Sequence, residues 1–373
     1  MKSIQYLTFD SIQEGVGSSQ VLSYLKRLTS SWDIELVNFE KKIEESDIQK
    51  MQSFGIDWRP LEFGNFGFYG GFKRIIALRR QARMDAIIHG RGDFSAFAAI
   101  LAGSQRVIWD CRAITPEQRI AQKRKSKFSV EYVVLRGIEY ICAKKSSKII
   151  VITEGACQFL MRRYRLSKSK FVHVSTCVEL ERFKPPVNED PIGHESLNIA
   201  FIGTLGEHYD IELMNRIVNE FKNKTKTKFT IALSKGSTKL YSLMNYDELV
   251  HLSHEEIPEF INSQDIGISV WREDMGASLL SVAATKNAEF LACGKPIIVN
   301  ISQGDIGKLV LKYKAGVATS DISDVAVNRY VEECLSLLKS DSSVSKRCVD
   351  LAHRHYSLEN GTNEISKLYS KLA

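Results

Sequence analysis

A lysine and a glutamate three residues apart are the residues best placed to do chemistry. They lie in Thr285-Lys286-Asn287-Ala288-Glu289-Phe290-Leu291-Ala292-Cys293-Gly294-Lys295-Pro296. The spacing predicts a helix that closes at Gly294, with Pro296 opening a strand. A carboxylate on the inner side of such a helix can accept hydrogen bonds from ribose hydroxyls. A lysine near the helix start can hold a phosphate, helped by the helix dipole. A surface salt bridge explains the two charges equally well, but not the compact Ala-Cys-Gly-Lys-Pro turn.

Three further polar clusters follow predicted strands. Asp10 to Gln20 runs from a strand into a glycine loop and a helix near Gly17-Ser18. It is either a ligand-facing loop or a plain loop with a serine cap. The spacing is neither G-x-G-x-x-G nor a P-loop. In His89-Gly90-Arg91-Gly92-Asp93, Asp93 reads as a helix cap, and Arg91 as a ligand contact or a surface charge. In Trp109-Asp110-Cys111-Arg112, an acid and an arginine two apart face a common cleft or form a structural ion pair. His353 and His355 have no acid or cysteine at metal spacing, so no metal is expected there.

The elements that must position these clusters alternate. Ile4–Phe9, Ile34–Phe39, Asp85–His89, Arg106–Trp109 and Lys148–Ile152 read as strands, with Ser18–Thr29 as a helix. Three of the seven prolines fall in Phe183–Gly193, a linker composition, and the pattern then restarts at Leu197–Gly203. Phe229–Leu233, Ile266–Val270 and Pro296–Val299 continue it. The grammar is α/β, with two doubly wound parallel-sheet domains. In such open sheets ligands bind beyond the carboxyl ends of the strands.

The 373 residues suit two domains, and 44% hydrophobic with 25% charged residues exclude a disordered or fibrous chain. Seven scattered cysteines without a Cys-x-x-Cys pair argue against a disulfide framework and fit a reducing cytoplasm. No apolar run approaches a membrane span, and the polar first ten residues read as a strand rather than a signal peptide.

In order along the chain, several segments resemble the family 4 retaining glycosyltransferases. Tyr6-Leu7-Thr8-Phe9-Asp10 with Gly17-Ser18-Ser19-Gln20-Val21-Leu22 is similar to that family's opening strand, glycine loop and helix. Val174-Ser175-Thr176-Cys177-Val178-Glu179-Leu180-Glu181-Arg182-Phe183 resembles its passage before the linker. His254–Phe260 and Asp265–Ile268 resemble the passage before the donor site. Lys286–Pro296 is similar to the donor-site pattern K-x-x-E-Y/F-L-A-x-G-x-P and is the most specific match.

The resemblance implies the GT-B fold, two Rossmann-like domains facing a cleft. Residues 1–187 would hold the acceptor and 188–358 the nucleotide-sugar, with a last helix near 359–372 packing back on the first domain. It implies a hexosyltransferase-type enzyme that moves a sugar from a UDP- or GDP-sugar to a glycan or lipid-linked acceptor with retention, in surface polysaccharide or glycolipid synthesis. The donor positions would be Gly17, Ser18, Gly203, Thr204, Arg272, Lys286 and Glu289, with Glu289 on the ribose. Asp110, Arg112 and Arg91 would serve catalysis on the acceptor side. No metal or other cofactor is expected, so basic side chains and helix N-termini must stabilise the leaving diphosphate.

Three departures stand out. Ser281 occupies the place of an acid eight residues before the ribose glutamate. Gly203–Tyr209 lacks the usual arginine and lysine, for which Arg272 and Lys286 are the substitutes. Trp109 stands where some members place a histidine. These losses also fit an inactive GT-B subunit assisting a partner transferase. A GT-B sugar-nucleotide epimerase is a further alternative.

The charge is uneven. Residues 1–190 carry 31 Lys and Arg against 21 Asp and Glu, whereas residues 191–373 carry 20 against 23. The basic runs are Arg119–Lys127, Lys144-Lys145 with Lys148, and Arg162–Lys170, and the stretch Phe63–Phe72 adds aromatic residues among glycines. Such a face suits an anionic membrane at the inner side of the plasma membrane, or else a solvated helix surface and a packed loop. No nucleic-acid module is visible, so nucleic acid is not expected as a partner.

Overall fold

The structure is a computed structural model that describes residues 3–13, 17–63, 68–124, 126–186, 196–233, 239–319 and 321–373. Glu14–Val16 of the glycine loop, Gly64–Gly67 of the aromatic stretch, Lys125, and Val187 onward in the expected linker lie outside the described residues. The expected boundary at 187/188 therefore does too.

Two compact units make up the chain, Met1–Ser175 with Leu358–Ala373, and Thr176–Ser357. In the first, seven parallel strands run in the order β3-β2-β1-β4-β5-β6-β7. They are β1 (Ser3–Thr8), β2 (Asp33–Glu40), β3 (Ile56–Glu62), β4 (Ile87–Arg91), β5 (Val107–Cys111), β6 (Lys148–Val151) and β7 (Phe171–His173). The second unit has six parallel strands in the order β10-β9-β8-β11-β12-β13. These are β8 (Leu197–Ile202), β9 (Thr227–Leu233), β10 (Glu248–His251), β11 (Ile266–Ser269), β12 (Ile297–Asn300) and β13 (Gly316–Thr319).

Each sheet is Rossmann-like, with helices between its strands. The strand order reverses between β1 and β4 in one unit and between β8 and β11 in the other. Neighbouring chain exits diverge there and leave a crevice.

Four strands escaped the sequence reading: β3, β7, β10 and β13. All four are sheet edges. Edge strands are free to carry polar residues and proline, as Asp57, Arg59 and Pro60 do in β3, so they lack a continuous apolar run. Two central strands run past their expected ends. β4 reaches Arg91 and β5 reaches Cys111, so Arg91 and Asp110 are ladder partners rather than loop residues.

Side-chain parity then sorts the first sheet. Leu7, Ile88, Val107, Trp109 and Cys111 join one apolar core with helix residues such as Ala96, Cys142 and Leu160. Tyr6 pairs with His89 and Thr8 with Arg91, so these residues face the other way. The helix Leu358–Leu372 belongs to this unit and packs on that second face. Tyr369 is fully buried, 5.4 Å in ring-centroid distance from Trp32. In the second unit, Phe290 and Leu291 of the helix Thr285–Ala292 enter a core with Ile202, Ile297 and Val299. A Cβ on Gly267 of β11 would meet the Phe290 ring at 2.7 Å, so glycine there lets this helix lie close on the sheet.

Gly90 allows the same closeness in the first unit. A Cβ there would sit 2.6 Å from the Ala96 backbone, whereas nothing lies within 4 Å of a Cβ on exposed Gly71 in the helix Phe68–Gln81. Gly90→Ala should therefore cost about 1–3 kcal/mol through overpacking. Gly71→Ala should gain up to about 1 kcal/mol from helix propensity. Thermal unfolding midpoints check this, and equal midpoints for the two variants would contradict it.

Candidate functional site

The carboxyl ends of β1, β4 and β5 gather a charged cluster of period two: Thr8 and Asp10, His89 and Arg91, Asp110 and Arg112. Arg91 Nε donates to Asp10 Oδ2 at 2.8 Å, and its Nη1 lies 3.5 Å from Asp110 Oδ2. Arg112 Nη1 lies 3.4 Å from the other Asp110 oxygen. His89 Nε2 is also 3.4 Å from Asp110, a long contact, while its Nδ1 and the Tyr369 hydroxyl share a 2.7 Å hydrogen bond.

Burial alone would push the Asp110 carboxyl up. The charge of Arg112, the His89 contact and Arg91 outweigh it and hold the group well below the usual carboxylate range. Asp110 and Arg91 are both buried, and the cavity among Tyr6, Gln20, His89, Asp110 and Ile365 holds only about 10 Å³. That is room for roughly one water. Asp110 is therefore an anchor for two guanidiniums, and Arg91 is committed to two aspartates. Arg112 and the half-exposed Asp10 are the members that reach solvent, and both line a larger cavity of about 440 Å³ with Phe9, Phe94 and Gln118.

Asp93 does not cap a helix. Gly92 takes that position, and the buried Asp93 carboxyl instead accepts the Trp109 indole N–H at 3.0 Å. Burial, with Glu139 behind it, pushes this carboxyl up to about 7. Trp109 itself is fully buried on the opposite face of the sheet from Asp110.

In the second unit, the end of β8 and the helix Thr285–Ala292 meet at Lys286. Gly203 has φ +100° and would place a Cβ 3.4 Å from Lys286 Nζ. The ammonium lies 3.8 Å from the centroid of the Phe201 ring and donates to the Tyr209 hydroxyl at 2.9 Å. His208 and Trp271 stack at 4.1 Å beside Tyr209. Asn300, at the end of β12, fixes Trp271 by accepting its N–H and donating to its carbonyl.

Burial pushes Lys286 down to about 7, against the pull of Glu289. It pushes the Glu289 carboxyl up to about 7, against Lys286 and Arg182, and no hydrogen bond from the described residues acts on that carboxyl. Burial, then Lys286 and Arg272, lower His208 to about 4, which keeps it neutral near pH 7. The crevice thus holds a lysine and a carboxyl that both lack their usual stabilisation.

The other expected positions fare differently. Arg272 forms a two-pronged pair with Asp274, at 2.8 Å on each side, and donates to the Glu207 carbonyl at 2.8 Å. A phosphate would have to compete with that acid. Thr204 is exposed just beyond Gly203. Ser281 is buried, with its hydroxyl donating to the Ser278 carbonyl, so no acid replaces the missing one at that position. Gly17 has ordinary helical φ and ψ, and a Cβ there would clash with the Ser11 carbonyl, so the glycine serves a backbone crossing. Ser18 opens a turn of π-helix and lines a cavity with Lys42, Lys50 and Trp58.

Among the described residues no cluster of three or more metal-ligating side chains occurs, and no helix is long and apolar enough to cross a membrane. Asp10 and His89 open two of the polar clusters seen in the sequence but carried no assigned role, and Tyr369, with Tyr209, His208 and Trp271 in the second unit, was not assigned to these sites. The period-two register of Tyr6-Thr8-Asp10 and His89-Arg91 was the available signal for the first group. Aromatic packing around Lys286 had none.

No protein-family model and no curated protein matches the chain. Solved structures do, across its whole length. A sucrose-phosphate synthase from Thermosynechococcus elongatus is 12% identical with TM-score 0.73, covering 100% of this chain and 99% of that one. Anabaena HepE in complex with UDP and glucose is 11% identical with TM-score 0.71, covering 100% of both chains. A glycosyltransferase from Rickettsia africae is 12% identical with TM-score 0.69, covering 100% of this chain and 98% of that one. The fold of the two units is that of GT-B glycosyltransferase structures.

Asp110→Asn would leave buried Arg91 with Asp10 as its only carboxylate partner among the described residues. Breaking a buried ion cluster in this way costs about 3–5 kcal/mol. Because the folded-state pKa of Asp110 is depressed, its contribution is present above the ordinary carboxylate range and is lost as pH falls through and below it. Denaturant unfolding at neutral and acidic pH checks both points. The wild-type advantage should be full at neutral pH and shrink in acid, and an advantage that grows in acid would contradict the assignment.

Proposed function

We propose that the protein is a nucleotide-sugar-dependent glycosyltransferase whose second unit binds the donor at Lys286 and Glu289. The observation that carries this is the partly desolvated Lys286 ammonium, held over Gly203 at the strand-order reversal, three residues before a buried and unmet carboxyl. A diphosphate would supply Lys286 with the counter-charge it lacks. Ribose hydroxyls would donate to Glu289.

In the reaction, the bond from the sugar anomeric carbon to the diphosphate oxygen breaks, a bond to the acceptor hydroxyl oxygen forms, and the hydroxyl proton passes to the departing diphosphate. Lys286 and the N-terminal turn of its helix stabilise the negative charge left on the diphosphate. Retention is taken from the family resemblance, as is a UDP- or GDP-linked hexose donor. HepE, solved with UDP and glucose, supports the nucleotide class. The first unit would receive a glycan or lipid-linked acceptor at the Arg112 and Asp10 cavity, in surface polysaccharide or glycolipid synthesis at the cytoplasmic face of a membrane. Arg112 touches the acceptor in this reading, with Asp110 and Arg91 positioning it. Gly203 and Thr204 would lend backbone to the donor.

A second reading has one specific support. Arg272 is neutralised by Asp274 and Ser281 replaces an acid, which favours a subunit that binds nucleotide without turnover.

Titration calorimetry with UDP and GDP tests the donor site. The diphosphate favours charged Lys286, so affinity should weaken by about tenfold per pH unit above 7. Ribose favours ionised Glu289, so affinity should also weaken below 7. Lys286→Ala should remove the alkaline limb. Glu289→Ala should remove the acidic limb and lower affinity by about tenfold or more. A flat pH profile, or wild-type affinity in both variants, would sink the assignment. Release of the nucleoside diphosphate from a panel of sugar nucleotides separates an enzyme from an inactive binder.

A further inference from the structure

The helix Val130–Lys145 is apolar on two faces. Its inner face buries Tyr132, Leu135, Ile138 and Cys142. On its outer face, Val130 is 79% exposed, and Val133, Val134 and Tyr140 are exposed as well. Phe128, just before the helix, is 94% exposed. Positions 130, 133, 134, 137 and 140 follow helical spacing, so these side chains form one stripe roughly 16 Å long. Gly137 sits in the middle and adds no bulk. A surface helix normally turns a polar face to water, and this one does not.

Cations outnumber acids around the stripe, although Lys127 lies 3.6 Å from Glu117. Exposed Lys123, Arg124 and Lys127 stand at its start, and exposed Lys144 and Lys145 at its end. The helix has two acids. Glu131 is paired with Lys123 at 2.7 Å, and Glu139 is fully buried with Arg136 and the Tyr164 hydroxyl. No free acid remains on this face to repel an anionic surface.

We infer that this face docks the first unit onto an anionic lipid bilayer. The exposed valines and Phe128 would enter the headgroup boundary, and the lysines and Arg124 would meet lipid phosphates. An apolar stripe framed by cations matches an interfacial helix that uses both burial and charge.

Two of the basic runs seen in the sequence, Arg119–Lys127 and Lys144-Lys145, flank this face, and its apolar stripe stands in place of the expected aromatic stretch. Phe63, at the start of the aromatic stretch, packs inward against Phe39, with Arg74 over its ring. In the basic run Arg162–Lys170, Lys168 is paired with Glu154.

The docking face is independent of the donor site, so its failure and that of the donor assignment are separable. The test is sedimentation of the full chain with phosphatidylcholine vesicles, with and without phosphatidylglycerol. Wild type should co-sediment only with the anionic vesicles, and less at high salt. The triple variant Phe128→Ser/Val133→Ser/Val134→Ser should partition at least tenfold more weakly. Lys123→Gln/Arg124→Gln/Lys127→Gln should lose the preference for phosphatidylglycerol. All substituted side chains are exposed, and unchanged thermal midpoints establish that the variants fold. Absence of wild-type sedimentation, or equal sedimentation of the serine variant, overturns the proposal. A wild-type dimer that the serine variant converts to monomer also overturns it, because the face would then be a self-interface.

Discussion

A parallel sheet covered by helices on both faces leaves few places along its strands for a charge, so charged groups are driven toward strand ends. Both units obey this constraint, and the chemistry-bearing residues follow from it. Where strand order reverses, between β1 and β4 and between β8 and β11, the diverging chain exits open a space. Each unit fills that space with charged groups supplied by strand ends and the segments after them. Glycines at Gly90 and Gly267 let the neighbouring helices lie close on each sheet.

The two crevices handle charge in opposite ways. In the first unit Asp110 is surrounded by Arg91, Arg112 and His89, and the C-terminal helix closes the group by bonding His89 through Tyr369. Nearly every charge there is met from within the protein, so the cluster is rigid and mainly positions Arg112. In the second unit Lys286 and Glu289 are both displaced toward neutrality by burial, and each is only partly compensated by the other. A crevice with unmet charge of both signs suits a ligand that carries an anion and hydroxyl donors on one skeleton. A nucleoside diphosphate is such a molecule.

The sequence exposes the central strands because buried parallel strands need continuous β-branched and aliphatic runs. It conceals β3, β7, β10 and β13 because edges tolerate charge, proline and short length. Lys286 and Glu289 were legible through a compact motif. Asp110 and Arg91 were legible as polar residues next to strands, but their pairing depends on β4 and β5 extending further than local composition indicates. His89 was legible as a polar residue at a strand end, but its partner Tyr369 lies 280 positions away. The commitment of Arg272 to Asp274 could have been guessed from their spacing. The aromatic enclosure of Lys286 by Phe201 and Tyr209 could not, since it depends on how the loop after β8 folds back.

In the proposed donor site, Lys286 lacks its full counter-charge until a nucleotide arrives. Nuclear magnetic resonance of the protein with labelled lysine side chains, titrated with and without UDP, reads this directly. Lys286 should titrate near 7 in the free protein, apart from the remaining lysines, and should move upward when UDP is added. A Lys286 signal titrating near the ordinary lysine value of about 10.4, and unmoved by UDP, would rule out this donor site.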